Sequence, residues 1–206
     1  MSTVKPVVRV RMTGTQRRQQ LLDVARALLA EKGFEATSVE EIAHRAAVSK
    51  PVVYAHFGGK EGIYAVVVDR EMRRVLDLIE SALAEPGHPR RLIERAAQAF
   101  LAYVDEYPDG FRILVRDSPV ASSTGTFSSL LGDIASQVEH LLGVHFEHYG
   151  YDPKLAAVYA QALVGMVALT GQWWLDARTP SRDEVAAHVV NLAWNGLSHL
   201  DHNPRL

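Results

Sequence analysis

Along residues 16–32 the apolar positions Leu21, Leu22, Ala25, Leu28 and Leu29 recur at spacings of three, four and seven. That is the stripe of an amphipathic helix, and Gly33 supplies its stop. Ser38-Val39-Glu40-Glu41 opens a second helix with an S-x-x-E capping box, carried for about two turns by Ile42, Ala43 and Ala46. A break at Ala47-Val48-Ser49 leads into a third helix. Ser49 is its N-cap, Pro51 sits in the first turn where a missing N–H is harmless, and Gly58-Gly59 ends it. Within this helix Val53 and Phe57 lie four apart and should face inward, onto Leu28 and Ile42.

From Lys60 the helical spacing resumes through Ile63, Val66, Val67, Met72, Leu76, Ile79 and Leu83, until Pro86-Gly87 breaks it. Further helical stretches follow at 90–107, 111–115, 127–149, 153–176 and 182–200, with a loop by composition at 118–126. Only VVRVRM near the start alternates like a strand, and without a partner strand it is expected to be a mobile arm. The pattern predicts an all-α protein in three parts. A flexible basic arm occupies 1–14, a three-helix head 15–75 with its central motif at 38–57, and a larger helical domain 76–206.

Composition narrows the setting. The 206 residues are 48% hydrophobic, enough for one substantial core or a small domain leaning on a larger one. Cysteine is absent, which excludes disulfides, thiolate metal sites and thiol redox switches. No signal peptide and no bilayer-length apolar run stands out, so a soluble, cytoplasmic protein with no membrane partner is expected. The net charge is −2, unevenly distributed. Residues 1–60 carry ten Lys and Arg against five Asp and Glu, a balance of +5, whereas 61–206 carry twelve against nineteen, or −7. A basic end on an acidic remainder suits a chain that meets a polyanion at that end.

Two short helices joined by a tight turn, behind a longer helix, describe a helix-turn-helix whose last helix enters the DNA major groove. Lys50, Val52, Tyr54 and His56 are left pointing outward or sideways. Lysine suits guanine O6 and N7, a small apolar surface suits a thymine methyl, and tyrosine and histidine donate to phosphate oxygens. Lys60 adds a cation at the start of the next helix. On periodicity alone, Tyr54 and His56 are equally surface residues of a three-helix bundle.

SVEEIAHRAAVSKPVVYAHFGGKEGIY resembles the DNA-binding segment of the TetR family of bacterial regulators, with Ala43, Val48, Ser49, Tyr54, His56, Phe57 and Lys60 at the family's motif positions. The resemblance spans roughly residues 15 to 75. It implies base contacts from Lys50, Pro51 and Val52, and mostly phosphate contacts from Tyr54, His56 and Lys60. Ser38 and Ser49, which open the two motif helices, complete the expected DNA-binding set. The family's usual turn glycine is here Ala47, which costs roughly 1 kcal/mol if that residue is left-handed. Arg9, Arg11, Arg17 and Arg18 either form a minor-groove arm or merely keep a disordered tail soluble.

The resemblance further implies a homodimer, paired through the last two helices, on an inverted-repeat operator in double-stranded DNA. It also implies a small-molecule effector held among the middle helices. Gly165 with Ala168, and Leu192, Gly196 and Leu200, offer the small-residue spacing that lets helices approach closely. Phe100, Tyr103, Phe111, Leu131, Ile134, Val138, Leu163, Met166, Thr170, Trp173 and Trp174 supply an apolar, aromatic-rich pocket lining, although each is equally ordinary core. DEYPDGFRILVRDS and the stretch from LVGMVALTGQWW onward are similar to actinobacterial fatty-acid and lipid regulators of the family. That implies a lipophilic effector such as a long-chain acyl-CoA or fatty acid. His145 and His148, with His140 nearby, have a helical spacing open to zinc or nickel, but a solvated helix face explains them as well, and no metal or cofactor is expected. No nucleophile elbow, zinc-protease helix or phosphate loop is present, so the chain should be a regulator and not an enzyme. The expected action is repression relieved by the effector. The alternatives are a DNA-binding regulator without an effector and, further off, a helical enzyme or lipid carrier.

Overall fold

The computed structural model describes residues 12–116 and 127–200, and every regular element among them is helical. Residues 1–11 of the expected arm, with all of its VVRVRM alternation but Met12, and the loop at 118–126 lie outside the described residues, while Thr13 and Gly14, expected in the arm, cap and open the first helix. The chain divides into two compact units, one up to Val67 and the other from Val68.

The first unit opens with α1 (Gly14–Ala36), capped by a reciprocal pair. Thr13 Oγ1 accepts from the Gln16 N–H at 3.2 Å, and Gln16 Oε1 accepts from the Thr13 N–H at 2.9 Å. Gly33 interrupts the helix at φ 81°, where the apolar stripe runs out. Leu21, Ala25, Leu28 and Leu29, the stripe itself, are buried against the next two helices, α2 (Val39–Arg45) and α3 (Lys50–Phe57). Ile42 and Val53 close this core, both fully buried. Gly58 ends α3 in the left-handed region at φ 74°, and α4 (Lys60–Ala84) begins two residues later. The boundary between the units falls inside α4.

The second unit contains the rest of α4 with α5 (Pro89–Glu106), α6 (Pro108–Val115), α7 (Phe127–Tyr149), α8 (Ala156–Ala177) and α9 (Arg182–Leu197). A single 3-10 turn, Pro153–Leu155, precedes α8. α7 packs along α8, α9 packs along α5, and α5 lies against α8. An aromatic cluster anchors α6 to α5, with the Phe111 ring edge-on to Phe100 at 5.6 Å and to Tyr103 at 6.3 Å. Beside it lies the buried carboxylate of Glu71, from α4, which accepts from Tyr103 Oη at 3.1 Å and from Arg74 Nη1 at 2.8 Å. A carboxyl group taken out of water is tolerated because Tyr103 and Arg74 donate to it.

The segment Pro153–Ala177 is apolar on nearly every side and has, by length and composition alone, the dimensions of a membrane span (mean hydropathy 1.4). Its apolar residues divide into two faces. Ala160, Val164, Ala168, Trp174 and Leu175 turn into the core, while Leu155, Val158, Leu169 and Trp173 are exposed. Leu192 on α9 is also exposed.

Candidate nucleic-acid interface and ligand cavity

The turn between α2 and α3 is built from backbone hydrogen bonds. The Ala47 N–H donates to the His44 carbonyl at 3.1 Å and the Val48 N–H to the Ala43 carbonyl at 2.9 Å. This is the paired closure of a Schellman motif, which places Ala47 at the residue that must be left-handed, and its φ is 53°. The turn is therefore formed as a glycine would form it, with alanine carrying the strain.

Ser38 Oγ accepts from the Glu41 N–H at 3.2 Å, but the expected capping box is only half made. The Glu41 carboxylate binds Lys32 Nζ at 2.6 Å instead, and that hydrogen bond holds its carboxyl below the ordinary glutamate range. At the start of α3, Ser49 occupies the N-cap position but its hydroxyl makes no capping bond, leaving it on the surface with Lys50 and Pro51. Tyr54, one turn on, is 53% exposed, and Val52 and His56 are half-buried at the flanks. Ala55 is exposed as well, four residues from Pro51. Its small apolar side chain drew no notice in the sequence, yet helical spacing from Pro51 is enough to place it on this face. The Lys50 ammonium is paired with the carboxylate of Glu40 on α2.

Lys60, an expected DNA ligand, and Arg18, left open between arm and tail, both have partners within the first unit. Lys60 Nζ donates to the Phe34 carbonyl at 3.0 Å and lies 4.2 Å over the Phe34 ring. It thereby offsets the negative end of α1, a contact within the first unit that the family resemblance, which implied mostly phosphate contact, did not indicate. Arg18 belongs to α1 and not to a tail. It donates to the His56 carbonyl at 2.7 Å and stacks over Phe57 at 4.3 Å, fixing the end of α3. Arg17 donates to Gln20 Oε1 at 2.6 Å, also within α1, and Arg9 and Arg11 lie outside the described residues. Gly62 sets how closely α4 meets α3, because a Cβ there would lie 1.8 Å from the Phe57 carbonyl oxygen.

The second unit encloses a cavity of about 420 Å³ walled by α4, α5, α7, α8 and α9. Five of the eleven expected lining residues are on its wall: Phe100, Leu131, Ile134, Val138 and Leu163. The other six are not. Tyr103 turns to Glu71, and Phe111 fills the space between Phe100 and Tyr103. The Trp174 indole N–H donates to the Pro180 carbonyl at 2.8 Å inside the core. Trp173, 55% exposed, lies on the opposite, outer face of α8. Met166 is half-buried away from the wall, and Thr170 lies past Ala168, the last α8 residue to reach it.

The wall also has residues that the sequence did not suggest, among them His88, His145, Trp194 and Ser198. His145 continues the spacing that carries Leu131, Ile134, Val138 and Leu141 along α7 and was readable from that stripe. His148 is exposed beside Tyr149, so the two histidines do not share a direction. Among the described residues no three His, Asp or Glu side chains converge on a metal-sized site.

Comparison with known proteins places these features. Residues 21–67 match the family described as bacterial regulatory proteins, tetR family, and residues 89–196 match the tetracyclin repressor-like C-terminal domain. The HTH-type transcriptional activator FasR of Mycolicibacterium smegmatis is 29% identical over 195 residues, covering 92% of this chain and 87% of that protein. A TetR-like transcriptional regulator from Rhodococcus sp. RHA1 superposes with a TM-score of 0.77 at 28% identity, over 91% of this chain and 99% of that one. The fatty acid degradation regulator FadR of Bacillus halodurans shares the fold, with a TM-score of 0.74 at 18% identity over 93% of this chain and all of that one.

Proposed function

The chain belongs to the TetR family of DNA-binding transcriptional regulators and is not an enzyme, and from that premise we propose that it is a homodimeric regulator released from an inverted-repeat operator by a lipophilic effector. Lys50, Pro51, Val52 and Ala55 are the residues offered to base edges. Ser38, Ser49, Tyr54 and His56 are offered to the backbone, with Lys60 acting chiefly through its hold on α1. The outer face of α8 supports the dimer. A helix that is apolar all round needs cover on both sides, and among the described residues Leu155, Val158, Leu169 and Trp173 are left exposed. Gly165 and Gly196 have no atom within 4 Å of a Cβ position, which leaves room for a partner helix to approach.

The observation that carries the reading is the double engagement of α4. Gly62, at its start, seats α3, while Ile79 and Leu83, near its end, form part of the cavity wall. An effector that prefers one setting of Ile79 and Leu83 thus biases the setting of the reading helix. A hundredfold loss of DNA affinity requires roughly 2.7 kcal/mol of coupling. Burial of about four methylene groups in one state alone supplies about 3 kcal/mol. The open cavity favours this over a regulator without a small-molecule effector, whose corresponding space would be filled by side chains. The resemblance to actinobacterial lipid regulators directs the choice of effector toward acyl compounds. Release from DNA ends repression at one promoter geometry and activation at another, and the expected sense is repression. The test is a mobility shift of the operator recovered by genomic immunoprecipitation, titrated with long-chain acyl compounds. Specific DNA binding that no acyl compound weakens refutes the effector assignment.

A further inference from the structure

We propose that the cavity takes its effector tail first and selects an uncharged polar end, such as an ester, thioester, amide or alcohol, over a free carboxylate. This rests on the lipid-effector reading above and concerns the chemistry of the same site. Among the described residues no Lys, Arg, Asp or Glu side chain reaches the cavity wall. Among the described residues, the polar groups that do reach it gather at three helix ends: His88 before α5, His145, Tyr149 and Tyr151 at and just beyond the end of α7, and Trp194 and Ser198 at the end of α9, with the Tyr151 hydroxyl donating to the Leu200 carbonyl at 3.0 Å. His88, Tyr149 and Ser198 are exposed, which marks this end as the mouth. Elsewhere the wall is hydrocarbon, with Phe100, Leu131, Ile134 and Ala168 among its residues. A ligand with one polar end and one chain therefore has a single favourable direction, chain inward.

The mouth groups define the polar end they accept. His145 is half-buried and, among the described residues, makes no hydrogen bond, and the same holds for the indole N–H of Trp194. A neutral imidazole offers one donor and one acceptor, and an indole offers one donor. Together they satisfy a carbonyl or a hydroxyl. They do not neutralise a carboxylate, whose burial without a cation is strongly disfavoured. The neighbouring arginines do not supply that cation at the wall. Arg91 is paired with Glu94 at 3.0 Å, Arg95 donates to the carbonyls of Ala82 and Glu85, and Arg90 is exposed and off the wall.

The experiment is displacement of a fluorescent lipid from the full chain by methyl laurate, dodecanol and laurate at pH 8, where an ordinary imidazole is neutral. The ester and the alcohol should displace at concentrations at least about tenfold lower than laurate. Greater hydrophobicity alone could produce that order, so two variants isolate the mouth. His145→Leu should weaken the ester and the alcohol about fivefold while leaving plain dodecane unchanged. Ser198→Lys, an exposed change that leaves the core intact, should strengthen laurate about tenfold and leave dodecanol unchanged. Laurate binding as tightly as the ester to the native chain, or indifference of laurate to Ser198→Lys, overturns the inference and leaves the lipid reading standing. Displacement by none of the three compounds removes both.

Discussion

Replacing Ala47 with glycine should make the protein more stable. Ala47 is held at φ 53° by two hydrogen bonds, the 3.1 Å bond to His44 and the 2.9 Å bond that follows it from Val48 to Ala43, so the backbone cannot relax without opening the turn. An L-residue in this region carries about 1–2 kcal/mol of strain from its Cβ, which glycine removes. Ala47 is exposed, so the lost methyl group gives up little burial. Glycine also gains freedom in the unfolded chain, which returns about 0.4–1 kcal/mol. The net expectation is a gain of roughly 0.5–1 kcal/mol, or about 1–4 °C in Tm for a chain of this size. Tryptophan fluorescence is the wrong probe, since Trp173, Trp174 and Trp194 all lie in the second unit. Urea unfolding followed by far-UV circular dichroism reports the helices of both units, and exchange of the Val48 amide reads the first unit directly. Slower exchange at Val48 and a higher midpoint at unchanged m-value support the argument. Equal or lower stability would show that the turn is not under the strain its backbone angle implies.

Gly62→Ala should have the opposite sign. The new Cβ would sit 1.8 Å from a backbone oxygen that cannot rotate away, so a loss of about 1–3 kcal/mol and weakened DNA binding are expected in the same urea and mobility-shift assays. Glu40→Gln releases Lys50 from its ion pair and should strengthen binding to the operator several-fold more than to unrelated DNA in the mobility-shift assay, because the freed ammonium can reach guanine O6 and N7. The change should vanish in a Lys50→Met background, and an unaltered preference for the operator in the native background would mean that Lys50 does not reach a base edge. Stability should barely move, since exposed pairs contribute about 0–1 kcal/mol. Leu169→Glu, on the outer face of α8, should yield a monomer by analytical ultracentrifugation with lost affinity for the inverted repeat; a dimer of native affinity would place the interface elsewhere.

How much of this was legible beforehand depended on how local the controlling interaction is. Gly33, Ser38, Ser49 and Gly58 were readable as punctuation because a helix end is decided within about one turn, by backbone groups that need a partner and by residues that tolerate unusual angles. The partners of charged side chains were not. Glu41 is three residues from Ser38, as a capping box requires, yet it binds Lys32 from another helix. Lys60 and Arg18 likewise found carbonyls 26 and 38 residues away. Charged tips are long, and they go to whichever partner the packing brings near.

The amino-acid sequence by itself determined the helices, their order, the turn that positions α3 and the chain's place among DNA-binding regulators, because periodicity and capping act over a few residues. Only the tertiary structure separated cavity wall from solid core. Tyr103, Phe111 and Phe100 occupy equivalent inward positions by spacing, but whether the space before a side chain is filled or hollow depends on helices far away in the chain. For the same reason α8 revealed its two apolar faces, and with them the displacement of Trp173 from the ligand to the outer surface, only once its neighbours were in place.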